Sequence, residues 1–241
     1  MSKKVLLITK LKTTNIGNQA LSDELVKLYE HSNQMFQVTG RPEGLFGYSI
    51  EKLKKSSDPV VLFEKWANGL VNRLGTLKGQ SNFKPGIRFV ELLSFEDFKV
   101  KNDGLFQAIK NIFRRFVHTE VFFARTYRKR FLSVSSADKL VYSGAGEVGD
   151  NNIFLRQLLE LRIAQLLGKK TYAINQSVEV VEQPMQSICA NVYKHMEKIL
   201  VRGTISKRNM VTLGIPVEKI ICCPDSAFLN PQPSQELVKQ M

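Results

Sequence analysis

Cysteine is scarce in this 241-residue chain: there are three, Cys189, Cys222 and Cys223, two of them adjacent. An odd number with no C-x-x-C pair argues against a disulfide framework and a cysteine zinc site, and a reducing cytoplasm is the expected setting. Long apolar runs are also missing. After Lys3 and Lys4 the apolar run covers only Val5 to Ile8, short of the roughly 7–15 residues of a signal peptide. No window approaches the ~18 apolar residues of a membrane span. In that setting the sequon Asn175-Gln176-Ser177 is a chance match. Histidine numbers three, and His31, His118 and His195 all fall where surface or packing roles are expected. No Ser-His-Asp order, metal-ligand spacing or P-loop occurs, so neither a metal nor a resident cofactor is expected.

Acidic residues are in deficit as well. Lys and Arg number 35 against 22 Asp and Glu, giving a net charge of +13. A field of that size favours anionic partners: phosphorylated metabolites, acidic glycans, nucleic acid or anionic lipid. The remaining composition, 43% hydrophobic and 24% charged, is that of a folded chain with one large domain or two small ones. The excess charge is densest between Lys99 and Arg130, nine basic residues against Asp103 and Glu120. Phe106, Phe113, Phe116, Phe122 and Phe123 interleave with those charges, and Leu105, Ile109, Ile112 and Phe116 keep helical spacing. A basic amphipathic segment at 99–130 fits an anionic membrane surface, but a helical excursion packed on the domain with a solvated basic face is the favoured reading. Nucleic acid is disfavoured, because no recognition-module signature is present.

Strands are expected at Lys4–Thr9, Met35–Thr39, Lys139–Tyr142, Lys170–Ile174, Ile199–Val201 and Lys219–Cys223. Helices are expected from about Ala20 to His31, at Val60–Leu74, at Ile153–Leu167 closed by Gly168, at Pro184–Lys198, and at Ile205–Leu213 ended by Gly214. Strands alternating with helices predict an α/β fold, a Rossmann-like parallel sheet with helices on both faces. The domain is expected over 1–230 with a helical basic insertion at about 45–132, and 231–241 as a linker or the start of a missing second half.

Ligands of open parallel sheets bind beyond the carboxyl ends of the strands, so the following loops carry the chemistry. Thr13 to Ala20 brings Asn15, Gly17 and Asn18 to a helix start, either as an anion cradle or as a simple cap. Ser143-Gly144-Ala145-Gly146-Glu147-Val148-Gly149 formally holds G-x-G-x-x-G. A dinucleotide reading fails there. The match is mid-chain, Glu147 would face a pyrophosphate, and the next strand ends in Ile174-Asn175 rather than an acid. The glycines still imply close backbone approach. Gln176 and Ser177 follow a strand. Arg202 leaves the next one, with Ser206 in the first turn of the following helix, and Arg is the residue that grips carboxylate or phosphate bidentately. Asp225 follows the last strand and could cap a turn, orient a side chain or meet sugar hydroxyls.

Taken in order, Asn15-Ile16-Gly17-Asn18, Ser143-Gly144-Ala145-Gly146, Gln176-Ser177, Val201-Arg202-Gly203-Thr204-Ile205-Ser206, Leu213-Gly214-Ile215 and Pro224-Asp225-Ser226-Ala227-Phe228 resemble the polysaccharide pyruvyl transferase family. The quoted blocks cover 1–40 and 137–230. Asn18, Ala145 and Gly203 stand where the family has Asp, Gly and Asp, and Val178-Glu179-Val180 replaces a Gly-Pro turn. The resemblance implies one half of a glycosyltransferase-B-like fold, with the site between two halves. It implies transfer of pyruvyl from phosphoenolpyruvate to a sugar of a cell-surface polysaccharide precursor. The partners it implies are phosphoenolpyruvate and a glycan or lipid-linked oligosaccharide acceptor. The expected location is the cytoplasm, extending to the inner face of the cell membrane if the 99–130 segment meets anionic lipid. The implied substrate-binding residues are Asn15, Gly17, Asn18, Ser143, Gly144, Gly146, Gln176, Ser177, Arg202, Ser206 and Asp225. No general acid stands out. A nucleotide-sugar-binding half-domain of glycosyltransferase type and a non-catalytic membrane-associated remnant are the alternatives.

Overall fold

The structure is a computed structural model that describes residues 4–9, 16–30, 35–39, 45, 47–77, 127, 130–143, 148–180 and 182–225. Its centre is a sheet of six parallel strands: β1 (Lys4–Ile8), β2 (Met35–Thr39), β3 (Lys139–Ser143), β4 (Lys170–Gln176), β5 (Lys198–Val201) and β6 (Ile220–Cys222). They lie in the order β2-β1-β3-β4-β5-β6. Leu7 of β1 registers with Val38 of β2 and with Val141 of β3. This is a Rossmann-like α/β arrangement, as the alternating pattern predicts.

Side-chain alternation divides the sheet into two apolar faces. Val5, Leu7 and Val141 meet Leu21 and Leu25 of α1 (Ile16–Glu30) on one face. Leu6, Ile8, Leu140, Tyr142, Ala173, Ile199 and Val201 point to the other. There they meet α4 (Asn152–Leu166) and α5 (Met185–Tyr193), and Met210 of α6 (Thr204–Thr212) joins them. A second layer lies over α4 and α5. It is α3 (Pro59–Leu77), whose Phe63, Ala67, Leu70 and Leu74 recur every three to four residues and are buried. Polar clamps fix its position: Arg162 Nε of α4 donates to Glu64 at 2.8 and 3.1 Å, and Asn191 Nδ2 of α5 donates to the same carboxylate at 2.5 Å.

The expected insertion is therefore packed on the domain wherever it is described. The short helix α2 (Ile50–Lys54) was not anticipated, because five residues are too few to show a period. Residues 130–136 are helical. Arg130, counted among the basic face of 99–130, turns inward: its Nε and Nη2 each lie 2.6 Å from the fully buried Glu160 carboxylate, which also accepts from Tyr127 Oη at 3.0 Å. Burial, and next the Glu160 charge, hold the Tyr127 phenol well above its usual range. Most of 99–130 lies outside the described residues, as do His31, His118 and 231–241. No described helix is long and apolar enough to cross a membrane.

Several boundaries differ from expectation. The first helix starts at Ile16 rather than near Ala20. α5 stops at Tyr193 instead of continuing to Lys198. Met196 has to reach the core, and the Glu197 N–H goes to Thr171 O at 2.9 Å, so the chain turns into β5. α4 ends as predicted at Gly168, with φ 73°. The Lys169 N–H bonds Ala164 O and the Gly168 N–H bonds Gln165 O, each at 2.9 Å, satisfying carbonyls the helix leaves open.

Candidate functional site

The strand order reverses between β1 and β3, which opens a crevice at their carboxyl ends. Thr9 leaves β1 there, its Oγ1 2.8 Å from Ser22 Oγ of α1. Ser143 ends β3. It alternates with Val141 and so projects on the α1 face, 2% exposed, with a hydroxyl that has no hydrogen-bond partner among the described residues. An unpartnered buried hydroxyl costs about 1–3 kcal/mol and marks a position where a ligand group would be favoured. Asn15, Gly144 and Gly146 lie outside the described residues. Gly17 and Asn18 fall in the first turn of α1, not in the expected loop, and that turn carries no acidic residue to repel an anion.

A second polar group lies further along the same edge. Arg202 leaves β5, and its Nε and Nη2 donate to Ser177 Oγ beyond β4 at 2.9 and 2.5 Å. Its Nη1 lies 2.5 Å from Asp225 Oδ2 beyond β6. Three residues from three separate loops thus converge as the loop rule predicts. Described residues occupy three of the five guanidinium N–H groups, and toward them one donor is left on each terminal nitrogen. Arg202 is 27% exposed and Asp225 17%, so a solute can reach the pair without meeting a fully hydrated one. Nearby Cys223 has its thiol pushed up by burial, then by Cys222 and Asp225.

Gln176 and Ser206 take other duties. Gln176 lies inside β4, fully buried. Its amide donates to Ile174 O at 2.6 Å and Tyr142 O at 3.3 Å and accepts from Tyr193 Oη at 2.9 Å. Those bonds commit it to the core and correct its expected place in a loop. Ser206 Oγ accepts from the Val178 N–H at 3.2 Å, and Asn209 Nδ2 donates to Val178 O at 2.8 Å, so both brace the loop after β4 against α6. That loop also bridges Gly149 through Glu179. Gly203 is the N-cap of α6 with extended backbone and supplies no side-chain cap, a consequence of glycine where Asp was expected.

The Ser143 and Arg202 groups are two strands apart, about 10 Å laterally at ordinary strand spacing. That separation suits two polar ends of one small molecule, or two adjacent reactants. The exposed His195 precedes β5 and so belongs to the opposite edge of the sheet. Among the described residues no group of three His, Cys, Asp or Glu could hold a metal ion. The sequence model of a family described as Polysaccharide pyruvyl transferase matches residues 46–240. The match begins beyond the Asn15–Asn18 loop and includes the basic middle that the quoted motifs skip. No curated protein matches the chain.

Proposed function

The chain belongs to the polysaccharide pyruvyl transferase family, and from that premise we propose that it transfers the pyruvyl unit of phosphoenolpyruvate to a sugar of a cell-surface polysaccharide precursor. The observation that carries this reading is Arg202, held between Ser177 and Asp225 with spare donors on both terminal nitrogens. Phosphoenolpyruvate offers two anionic groups, and a planar guanidinium matches either in bidentate fashion. The Ser143 hydroxyl, about 10 Å away laterally at ordinary strand spacing, is too far for the other end of the same phosphoenolpyruvate and receives a hydroxyl of the acceptor sugar.

The chemistry needs little from the protein beyond positioned charge. A proton adds to C3 of the enol and positive charge develops at C2. A sugar hydroxyl attacks C2 and gives up its proton, forming a tetrahedral phosphorylated adduct. The C2–O bond to phosphate breaks, and a second sugar hydroxyl closes the ketal at C2 as its proton passes to the departing inorganic phosphate. In this reading Arg202 stabilises the anionic ends and the departing phosphate, and Asp225 accepts a hydroxyl proton or its hydrogen bond.

The test is binding. Phosphoenolpyruvate should raise the melting temperature of the wild type, and Arg202→Ala should weaken its affinity roughly 10- to 100-fold, the worth of a charge-assisted pair. Arg202→Lys should recover only part, because a point charge cannot reproduce the fork. Unchanged affinity in Arg202→Ala removes Arg202 from the site. Stabilisation by a UDP- or GDP-sugar with no response to phosphoenolpyruvate would favour a nucleotide-sugar enzyme instead.

A further inference from the structure

β4 breaks its own alternation. Ala173 belongs to the apolar face shared with α4 and α5, and Ile174 packs on the α1 face. Strict period two would send Gln176 to the α1 face with Ile174. Instead its side chain meets Tyr193 Oη, on α5, and Tyr142 O. The phase has slipped by one, and the pairing of β4 with β5 shifts register between Ala173 and Gln176. The residue inside the slip is Asn175, 4% exposed, with φ 53°. It is the one non-glycine among the described residues with a left-handed backbone, a conformation asparagine tolerates better than most residues.

We propose that Asn175 is a positioning residue for the Arg202 site: its left-handed backbone inverts the side-chain phase of β4, so that Gln176 anchors in the core and the Ser177 hydroxyl meets the Arg202 guanidinium. β-bulges beside active sites re-aim side chains in this way. The anchor is two-sided. Gln176 is bonded through its amide to Ile174 O and Tyr142 O, and through its carbonyl oxygen to the Arg202 N–H at 3.0 Å. One backbone carbonyl therefore fixes where Arg202 leaves β5, while the next residue supplies the hydroxyl that holds its side chain. A residue that prefers extended backbone at 175 restores strict alternation, turns Gln176 toward α1 and withdraws Ser177. The importance of this for binding rests on Arg202 being the anion grip.

Two readouts separate the backbone role from that reading. The first is hydrogen exchange of the Arg202 Nε–H, followed by NMR in the ligand-free protein. The second is affinity for phosphoenolpyruvate. Asn175→Gly, which adopts positive φ freely, should leave both unchanged. Asn175→Ala should speed Nε–H exchange by about tenfold and weaken phosphoenolpyruvate by about the same factor as Ser177→Ala. Loss of either readout in Asn175→Gly would show that the asparagine side chain, not the backbone, matters, and would overturn the proposal. So would an Asn175→Ala protein with wild-type exchange. Should Asn175→Ala not fold, Asn175→Gly alone decides by the same criterion. If the wild type ignores phosphoenolpyruvate, the anion reading fails, while exchange without ligand still judges Asn175.

Discussion

Replacing Glu160 by Gln is the sharpest test of how the insertion is held. The Glu160 carboxylate is fully buried on α4, receives Arg130 Nε and Nη2 at 2.6 Å each, and accepts from Tyr127 Oη at 3.0 Å. Arg130 itself is 11% exposed. Forming such a pair from water gains little, because desolvation offsets the attraction; breaking one side costs about 3–5 kcal/mol, because a buried charge is stranded. Gln keeps one acceptor but turns an amide N–H₂ toward the guanidinium, so about 3 kcal/mol is expected. A domain of this size loses about 2–4 °C per kcal/mol, giving a fall of roughly 6–12 °C in Tm. Far-UV circular dichroism melts would read it. The triple variant Tyr127→Phe/Arg130→Met/Glu160→Leu removes both charges together with the hydroxyl that Glu160 accepts from, and should recover most of the loss, which identifies the stranded charge as its cause. A Glu160→Gln protein melting within about 2 °C of wild type would show that Arg130 finds solvent or another partner, and the buried-pair account would fall.

Asp225→Asn should raise affinity for inorganic phosphate several-fold while lowering pyruvyl transfer. The carboxylate 2.5 Å from Arg202 Nη1 competes with any anion for that donor. Calorimetry with phosphate checks it, and weaker binding would mean that Asp225 orients Arg202 more than it opposes the ligand. Alkaline titration should show at least two of the six tyrosines, Tyr127 and Tyr193, silent at 295 nm until the protein unfolds. Burial holds both phenols well above their usual range. In the unfolded chain they ionise near pH 10, so their contribution is intact below about pH 10 and erodes above it. Full titration of all six in a still-folded protein would contradict their burial.

Much of the sheet was legible because a buried parallel strand is a short apolar run. Val5–Ile8 and Leu140–Tyr142 can be little else. α3 was legible for the complementary reason: Phe63, Ala67, Leu70 and Leu74 mark one face over three turns. Ends were less legible, since they answer to tertiary contacts. α5 stops early because Met196 must enter the core and Glu197 must bond Thr171, and no local preference announces either. Ser177, Arg202 and Asp225 were found together because the rule that placed them needs only the strand ends. Gln176 was misplaced by the same rule. Its polarity reads as a loop, and only the left-handed Asn175, invisible in composition, carries β4 two residues further and turns that amide inward.

The positive charge of the chain has a similar ambiguity, and the arginines resolve part of it. Counted as charge, Arg130, Arg162 and Arg202 add to a field that attracts anions. In the fold each is spent locally: on Glu160, on Glu64 and on Asp225. A planar fork suits buried or half-buried carboxylates, so arginine is drawn inward where lysine stays out. Lys54 and Lys170, paired across 3.6 and 3.8 Å, keep side chains more than half exposed, and such pairs contribute little to stability. The outward field of the described residues is therefore chiefly a lysine field, diffuse and screened by salt. It can raise the local concentration of an anionic reactant, but a compact ammonium cannot read its shape. In the proposed reading, selection falls to Arg202, which combines a carboxylate with a hydroxyl partner and sits at the carboxyl edge of the sheet. The Arg202–Asp225 pair is itself nearly neutral, so in the proposed reading discrimination rests on geometry set by β4 and β5 more than on the net charge of the chain.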